Sequence, residues 1–239
     1  MTTAVPVIAA RGLTKVFGPA ECEVVALRDL DFAVHSGEFV AVMGRSGSGK
    51  STLLHLLAGL DRPSGGSVHV GGRDLAALGD DELSLLRRRQ VGVVFQDFNL
   101  LDVLTAEENV ALPLALDGVA PAEARRRAGR ALEQVGLAKR ARHRPAAMSG
   151  GERQRVAVAR ALAIDPLVLL ADEPTGSLDS ASGAAVLALL RGLVDEHRHT
   201  VVLVTHDPNH AALADRLVVL RDGRACARRV DEAGDVHAA

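Results

Sequence analysis

The sequence predicts an α/β protein built on a mostly parallel sheet. Short apolar runs alternate with helical patterns along most of its 239 residues, the pattern of strands covered on both faces. A glycine-rich loop joins one such run to the helix that follows it.

Taken in order, the runs 39–43, 91–96, 168–171, 201–205 and 217–220 read as buried strands, the last followed by a turn at Asp222-Gly223. Stretches 50–60, 153–163 and 184–196 carry helical patterns. Segments 7–39 and 66–73 mix short strand signals with turn residues, which predicts a small N-terminal antiparallel β subdomain. Segment 105–147 has no strong strand signal. Thr105 and Glu108 form a capping box that opens one helix, and Pro121 opens another that Gly136 closes. The expected organisation is a single domain, 1–239, with a core of about 1–96 and 155–228 and an inserted helical subdomain of about 97–154. The final residues, from about Arg229, are small and polar and read as a frayed end.

Hydrophobic residues make up 48% and charged residues 24%, which excludes a disordered chain. A net charge of -2 gives no global positive field for nucleic acid or anionic lipid. With no Trp, no Tyr and five Phe, an aromatic platform for single-stranded nucleic acid is hard to build, so no nucleic-acid partner is expected. Cys22 and Cys226 make no disulfide framework and fit a reducing compartment. No apolar stretch approaches the roughly 20 residues that span a bilayer, and the first ten residues lack a signal-peptide pattern. A membrane role would therefore fall to another chain. Arginine outnumbers lysine 25 to 3, which makes Lys15, Lys50 and Lys139 worth locating.

Gly44-Arg45-Ser46-Gly47-Ser48-Gly49-Lys50-Ser51 matches the phosphate-loop pattern between a strand and a helix. Glycines let successive N–H groups turn inward as an anion nest, and the helix start adds its positive dipole end. Lys50 would reach the β- and γ-phosphates, and the Ser51 hydroxyl would ligate magnesium. With the site empty, Lys50 is expected to be solvated. The run ending in Asp172-Glu173 puts two carboxylates at a strand's C-terminal end, where ligands bind in parallel sheets. Asp172 would hold magnesium. Alternation would turn Glu173 to a different side, where it could polarise an attacking water. Without the phosphate loop, the pair would read only as a turn before Pro174.

Ser149-Gly150-Gly151-Glu152 opens a helix with a capping box, Ser149 to Glu152. Two glycines in a first helical turn cost roughly 1 kcal/mol each against alanine. Bare N–H groups at a helix start suit a phosphate. Since the chain already has a phosphate loop, this element would serve a second nucleotide or one held by another molecule.

Together these elements resemble the ATP-binding cassette (ABC) ATPases, over nearly the whole chain. Met148–Gln154 is similar to the LSGGQ signature, Gly44–Ser51 to the Walker A loop, and Val168–Asp172 to the Walker B strand. Glu173 resembles the catalytic glutamate, Gln96 the Q-loop glutamine, Ser177-Leu178-Asp179 the D-loop and His206 the switch histidine. The resemblance implies a P-loop NTPase core that hydrolyses ATP with Mg2+. Glu173, His206 and Lys50 would be catalytic, with His206 hydrogen-bonded to the γ-phosphate. Nucleotide contacts would come from Gly44, Arg45, Ser46, Gly47, Ser48, Gly49, Lys50, Ser51, Thr52, Gln96, Ser149, Gly150, Gly151, Glu152 and Asp179, and metal contacts from Ser51, Gln96 and Asp172.

Phe17 sits where the family stacks adenine, although it also reads as a small-core residue. Met148 and Glu152 depart from the usual Leu and Gln. The family pairs head-to-tail, so each ATP would lie between one chain's phosphate loop and the other's signature. The expected partners are a second ATPase subunit and a separate membrane permease, at the cytoplasmic membrane face. Segment 94–110 with 173–180 is similar to the subgroup serving lipoprotein release, macrolide efflux and antimicrobial-peptide export. A cell-division signalling ATPase, a DNA-repair or translation ABC protein, and a metabolic P-loop kinase are the alternatives. Asp97-Phe98-Asn99-Leu100-Leu101 is the candidate permease-docking loop. The basic runs 87–89, 125–127 and 139–144 read as solvated faces or as surfaces for phospholipid, a partner's acidic loops or RNA.

Overall fold

The computed structural model describes residues 5–227. The chain runs β1 (Ile8–Phe17), β2 (Val24–Val34), β3 (Phe39–Met43), α1 (Lys50–Leu57), β4 (Gly65–Val70), β5 (Arg73–Asp74), α2 (Asp80–Arg89), β6 (Val91–Val94), α3 (Ala106–Leu116), α4 (Pro121–Gln134), α5 (Gly150–Leu162), β7 (Val168–Asp172), α6 (Ser180–Asp195), β8 (Val201–Thr205), α7 (Pro208–Ala211), β9 (Arg216–Arg221) and β10 (Arg224–Ala227). The frayed end expected from about Arg229 lies outside the described residues, as does residue 228 of the expected core.

Two sheets form. An antiparallel sheet has the order β2-β1-β4-β5, and a second has the order β10-β9-β3-β8-β7-β6. The second is parallel throughout except for the β9–β10 hairpin. Its register aligns Met43 with Thr205 and Asp172 with Val204, so β3, β8 and β7 end together at one edge.

Strand alternation divides the core. Phe39, Leu169, Ala171, Val201 and Leu203 face the layer of α3, α4, α5 and α6. Val40, Val42, Val168, Leu170, Val202 and Val204 face α1, α2 and the antiparallel sheet. Each such Val, Leu or Phe side chain, fully buried, contributes about 1.5–3 kcal/mol. The apolar runs are continuous because both sheet faces are covered.

Several elements differ from the sequence reading. The helix expected over 50–60 stops at Leu57, and Gly59 then takes φ +61° in the turn. The strand expected to reach Gln96 ends at Val94. The N-terminal strands are long, ten and eleven residues, with register irregularities in place of separate short pieces. Helix α5 runs unbroken across the expected 154/155 boundary, so one helix belongs to both the helical subdomain and the core. Its residues Val156–Ala159 are fully buried among both sets of neighbours, and a boundary there would expose them.

Candidate nucleotide site

The phosphate loop closes on its own backbone. Gly47 and Gly49 take φ +77° and +100°, and Gly49 is the N-cap of α1. Among the described residues, Gly47, Gly49, Lys50 and Ser51 donate no backbone hydrogen bond, which leaves four N–H groups for an anion. A Cβ at Gly47 would meet nothing within 4 Å, so that position opens to the cleft. The loop is wedged from behind. A Cβ at Gly44 would meet Leu220 O at 2.5 Å, and one at Gly49 would meet Ala26 O at 2.4 Å. Gly223, in the β9–β10 turn, donates to Ser48 O at 3.3 Å and accepts from Arg28 N at 2.8 Å. Sequence reasoning saw the turn but not its contact with the loop, which only the fold brings together.

Lys50 is buried, 5% exposed, which corrects the expectation of a solvated lysine. Its Nζ donates to Gly44 O at 2.9 Å and Arg45 O at 3.1 Å, and lies 3.9 Å from Glu173 Oε1. The ammonium thus braces the loop's carbonyls.

The strand ends supply the remaining groups. Ser51 Oγ donates to Asp172 Oδ1 at 3.1 Å, uniting the two expected metal ligands. Burial pushes the Asp172 carboxyl above the usual range, against the hydrogen bond from Ser51. Glu173 takes φ +43°, a left-handed conformation that costs a non-glycine residue energy. This turn, rather than strand alternation, aims its carboxylate back toward the loop, with Oε2 2.9 Å from His206 Nδ1. A cleft of 1170 Å³ lies here, lined by the loop, Glu173, His206, Pro208 and the β9–β10 turn. A larger groove of 1520 Å³ lies between the antiparallel sheet and β9–β10 and carries none of these residues.

Other expected site residues lie apart. Gln96 is exposed, and its amide packs where a Gly176 Cβ would come within 2.9 Å. Among the described residues it makes no hydrogen bond to Ser51 or Asp172. Asp179 uses its carboxylate to cap α6, accepting from Ser182 N at 2.9 Å, and this bond holds its pKa below the usual range. Phe17 is 42% exposed, which removes the core reading, whereas Phe32 and Phe39 are buried and Phe95 and Phe98 half-buried.

The helix start expected to receive a second phosphate has the expected capping box. Ser149 N donates to Glu152 Oε2 at 2.9 Å, and Glu152 N donates to Ser149 Oγ at 3.2 Å. Arg140 pairs with Glu152 at 2.9 Å. The glycines have a second reason beyond exposing N–H groups. A Cβ at Gly151 would lie 3.0 Å from Ser182 Cβ, and one at Gly150 would lie 3.1 Å from Leu178 Cδ2.

The candidate docking loop is tied to α5. Phe98 and Asn99 both take left-handed φ. Arg160 donates to their carbonyls, to Phe98 O at 2.9 Å and to Asn99 O. Arg153 lies 4.9 Å over the Phe98 ring, so Phe98 is half-buried. The exposed apolar groups are Leu101 and Val103, at 48% and 75%. Asn109, fully buried, donates to the carbonyls of Leu101, Leu104 and Thr105 and accepts from Leu101 N. The 87–89 run is not a free basic face, because Arg87 and Arg88 donate to Gly59 O and Leu116 O, and Arg89 pairs with Asp117. No sequence signal marks these partners, which are all 28 residues away.

Comparison with known proteins bears on the same elements. The family described as ABC transporter matches residues 27–176. The macrolide export ATP-binding/permease protein MacB of Marinobacter nauticus is 49% identical over 91% of this chain, which spans 34% of that relative. The chain thus covers about a third of the length of the MacB relatives it matches. An uncharacterized ABC transporter ATP-binding protein of Methanocaldococcus jannaschii is 45% identical over 90% of this chain and 96% of its own length. A dimeric ATP-binding cassette in a post-hydrolysis state, bound to ADP and Pi, superposes with a TM-score of 0.82 at 43% identity, covering 91% of this chain and 96% of that one. The fold is that of such a cassette, and the chain belongs to the ABC transporter family.

Proposed function

We propose that this chain binds ATP and Mg2+ and hydrolyses ATP as the motor subunit of an exporter. The observation that carries the reading is the convergence of Lys50, Ser51, Asp172, Glu173 and His206 on a loop with four undirected N–H groups. The loop N–H groups and Lys50 bind the phosphates. Ser51 and Asp172, already 3.1 Å apart, offer the hard oxygen donors that magnesium takes, with Gln96 as a third contact from outside. Bound there, the ion supplies charge neutralisation at the β- and γ-phosphates. Glu173 accepts a proton from the attacking water, and His206 holds that carboxylate in place. Phe17, with its exposed ring, stacks the base.

The chain pairs head-to-tail with a second ATPase subunit, Ser149–Gly151 of each closing over the other's nucleotide. It works with a separate membrane permease at the cytoplasmic membrane face. Among the described residues no helix is long and apolar enough to cross a membrane, so the span is assigned to the permease. Leu101 and Val103 form the docking surface. Relatives named for macrolide and pyoverdine export support an export direction. Phosphate release by the purified chain tests the reading. Lys50→Ala should abolish it, and hydrolysis at near wild-type rate would remove Lys50 as the phosphate clamp.

A further inference from the structure

We propose that Lys15 is a positioning residue for the nucleotide base, holding the Phe17 ring in register with the phosphate loop. This inference rests on the reading of Phe17 as the base-stacking residue. Lys15 and Phe17 are two apart on β1, so they share one side of the strand. The Lys15 ammonium lies 4.7 Å from the Phe17 ring centroid, within cation–π range. It covers one ring face and leaves the other for a base.

The ammonium is itself held. It donates to Asp61 Oδ1 at 2.7 Å and to Arg62 O at 2.8 Å, and its side chain is only 12% exposed. Asp61 also accepts from Arg62 N at 2.7 Å. Burial opposes ionisation of Asp61, but the hydrogen bonds from Lys15 and the Arg62 backbone keep its carboxyl below the usual range. The Asp61 carboxylate is therefore charged at neutral pH.

Asp61 follows α1 by a short turn, and α1 begins at Lys50 in the phosphate loop. Eight helical residues make a rigid spacer of about 12 Å. A second link runs through β2. Lys15 pairs with Leu27, whose Cδ2 would lie 2.8 Å from a Cβ on Gly49. The ring is thus tied to the loop by two independent routes. An exposed aromatic ring would otherwise lose rotamer freedom on stacking, and prior ordering removes that cost from binding.

Isothermal titration calorimetry with ATP and with inorganic tripolyphosphate separates base from phosphate. Phe17→Ala and Lys15→Met should each weaken ATP by about three- to tenfold and leave tripolyphosphate within about twofold. Lys15→Arg should retain most ATP affinity, since guanidinium also pairs with carboxylate and stacks on rings. The double variant Lys15→Met with Asp61→Asn removes the unpaired carboxylate and should behave as Lys15→Met does. Equal weakening of both ligands by Lys15→Met and by the double variant would overturn the proposal in favour of a general structural role. Unchanged ATP binding in Lys15→Met, alongside weakened binding in Phe17→Ala, would overturn it while sparing the stacking reading. Unchanged ATP binding in Phe17→Ala would overturn the stacking reading, and this proposal with it.

Discussion

Glu173 and His206 are joined by a hydrogen bond of 2.9 Å between Oε2 and Nδ1, across the ends of two adjacent parallel strands. The bond exists because Glu173 leaves β7 in a left-handed conformation and turns toward β8. The carboxylate also faces Lys50 at 3.9 Å, so one group touches both the phosphate loop's lysine and His206.

This geometry predicts the behaviour of Glu173→Gln. The amide keeps the shape but cannot take a proton, so the rate should fall by about 10²–10⁴. ATP would bind without cleavage, and a nucleotide-dependent dimer should accumulate on size-exclusion chromatography. Adding Ser149→Arg places a bulky cation at the exposed start of α5 and should dissolve that dimer. A dimer that persists in the double variant would count against α5 as the second phosphate site.

The half-buried Asp172 predicts a pH signature in the nucleotide-free protein. Its folded pKa is raised, so the folded state holds the proton more tightly than the unfolded state does. Stability should therefore fall as pH rises from the ordinary carboxylate pKa through the raised one, with the full penalty present above it. Asp172→Asn should raise Tm at pH 7 by about 1–3 °C and change little near pH 4. A lower Tm at pH 7 would show that the Ser51 hydrogen bond outweighs burial.

The two signature glycines should separate in stability measurements. Gly150→Ala meets only the flexible end of Leu178, so the helix-propensity gain of about 1 kcal/mol should leave urea stability level or improved. Gly151→Ala presses on Ser182 Cβ at 3.0 Å and should destabilise by about 1–2 kcal/mol. If Gly151→Ala proves the more stable of the two, α5 and α6 are not packed as described.

Asn109 should matter more than its place in a loop-facing helix suggests. Asn109→Ala removes four part-buried hydrogen bonds and leaves Leu104 O and Leu101 N without their partner, while Leu101 O and Thr105 O keep backbone donors, a loss of about 1–3 kcal/mol by urea unfolding. Amide exchange at Leu101 should rise with it. A change below about 0.5 kcal/mol would mean water replaces the side chain without cost.

The phosphate loop, the Asp172 strand and the Ser149 capping box were legible because each is a contiguous pattern whose chemistry is local. The strands were legible because continuous apolar runs require two covered faces. What escaped depends on residues distant in the chain. The burial of Lys50 follows from the loop's closure on its own carbonyls. The left-handed Glu173 has no composition signal. The Arg160 clamp joins positions about 60 residues apart. The capping box at Ser149 marked the start of α5, but nothing local showed that this helix packs with both the helical subdomain and the core.

The support behind the phosphate loop also sets an order of assembly. Ser48 belongs to the first quarter of the chain, and the N–H that reaches its carbonyl belongs to Gly223, close to the last described residue. A ribosome making about 5–20 residues per second needs on the order of 10–35 s to travel between them. Through that interval β1, β2, β3 and α1 can form around a loop braced by Lys50 and Ala26 but lacking this last support. Nucleotide capture during synthesis would therefore await the β9–β10 hairpin, and a chain cut before residue 223 would carry the whole motif without the N–H that supports Ser48 from behind.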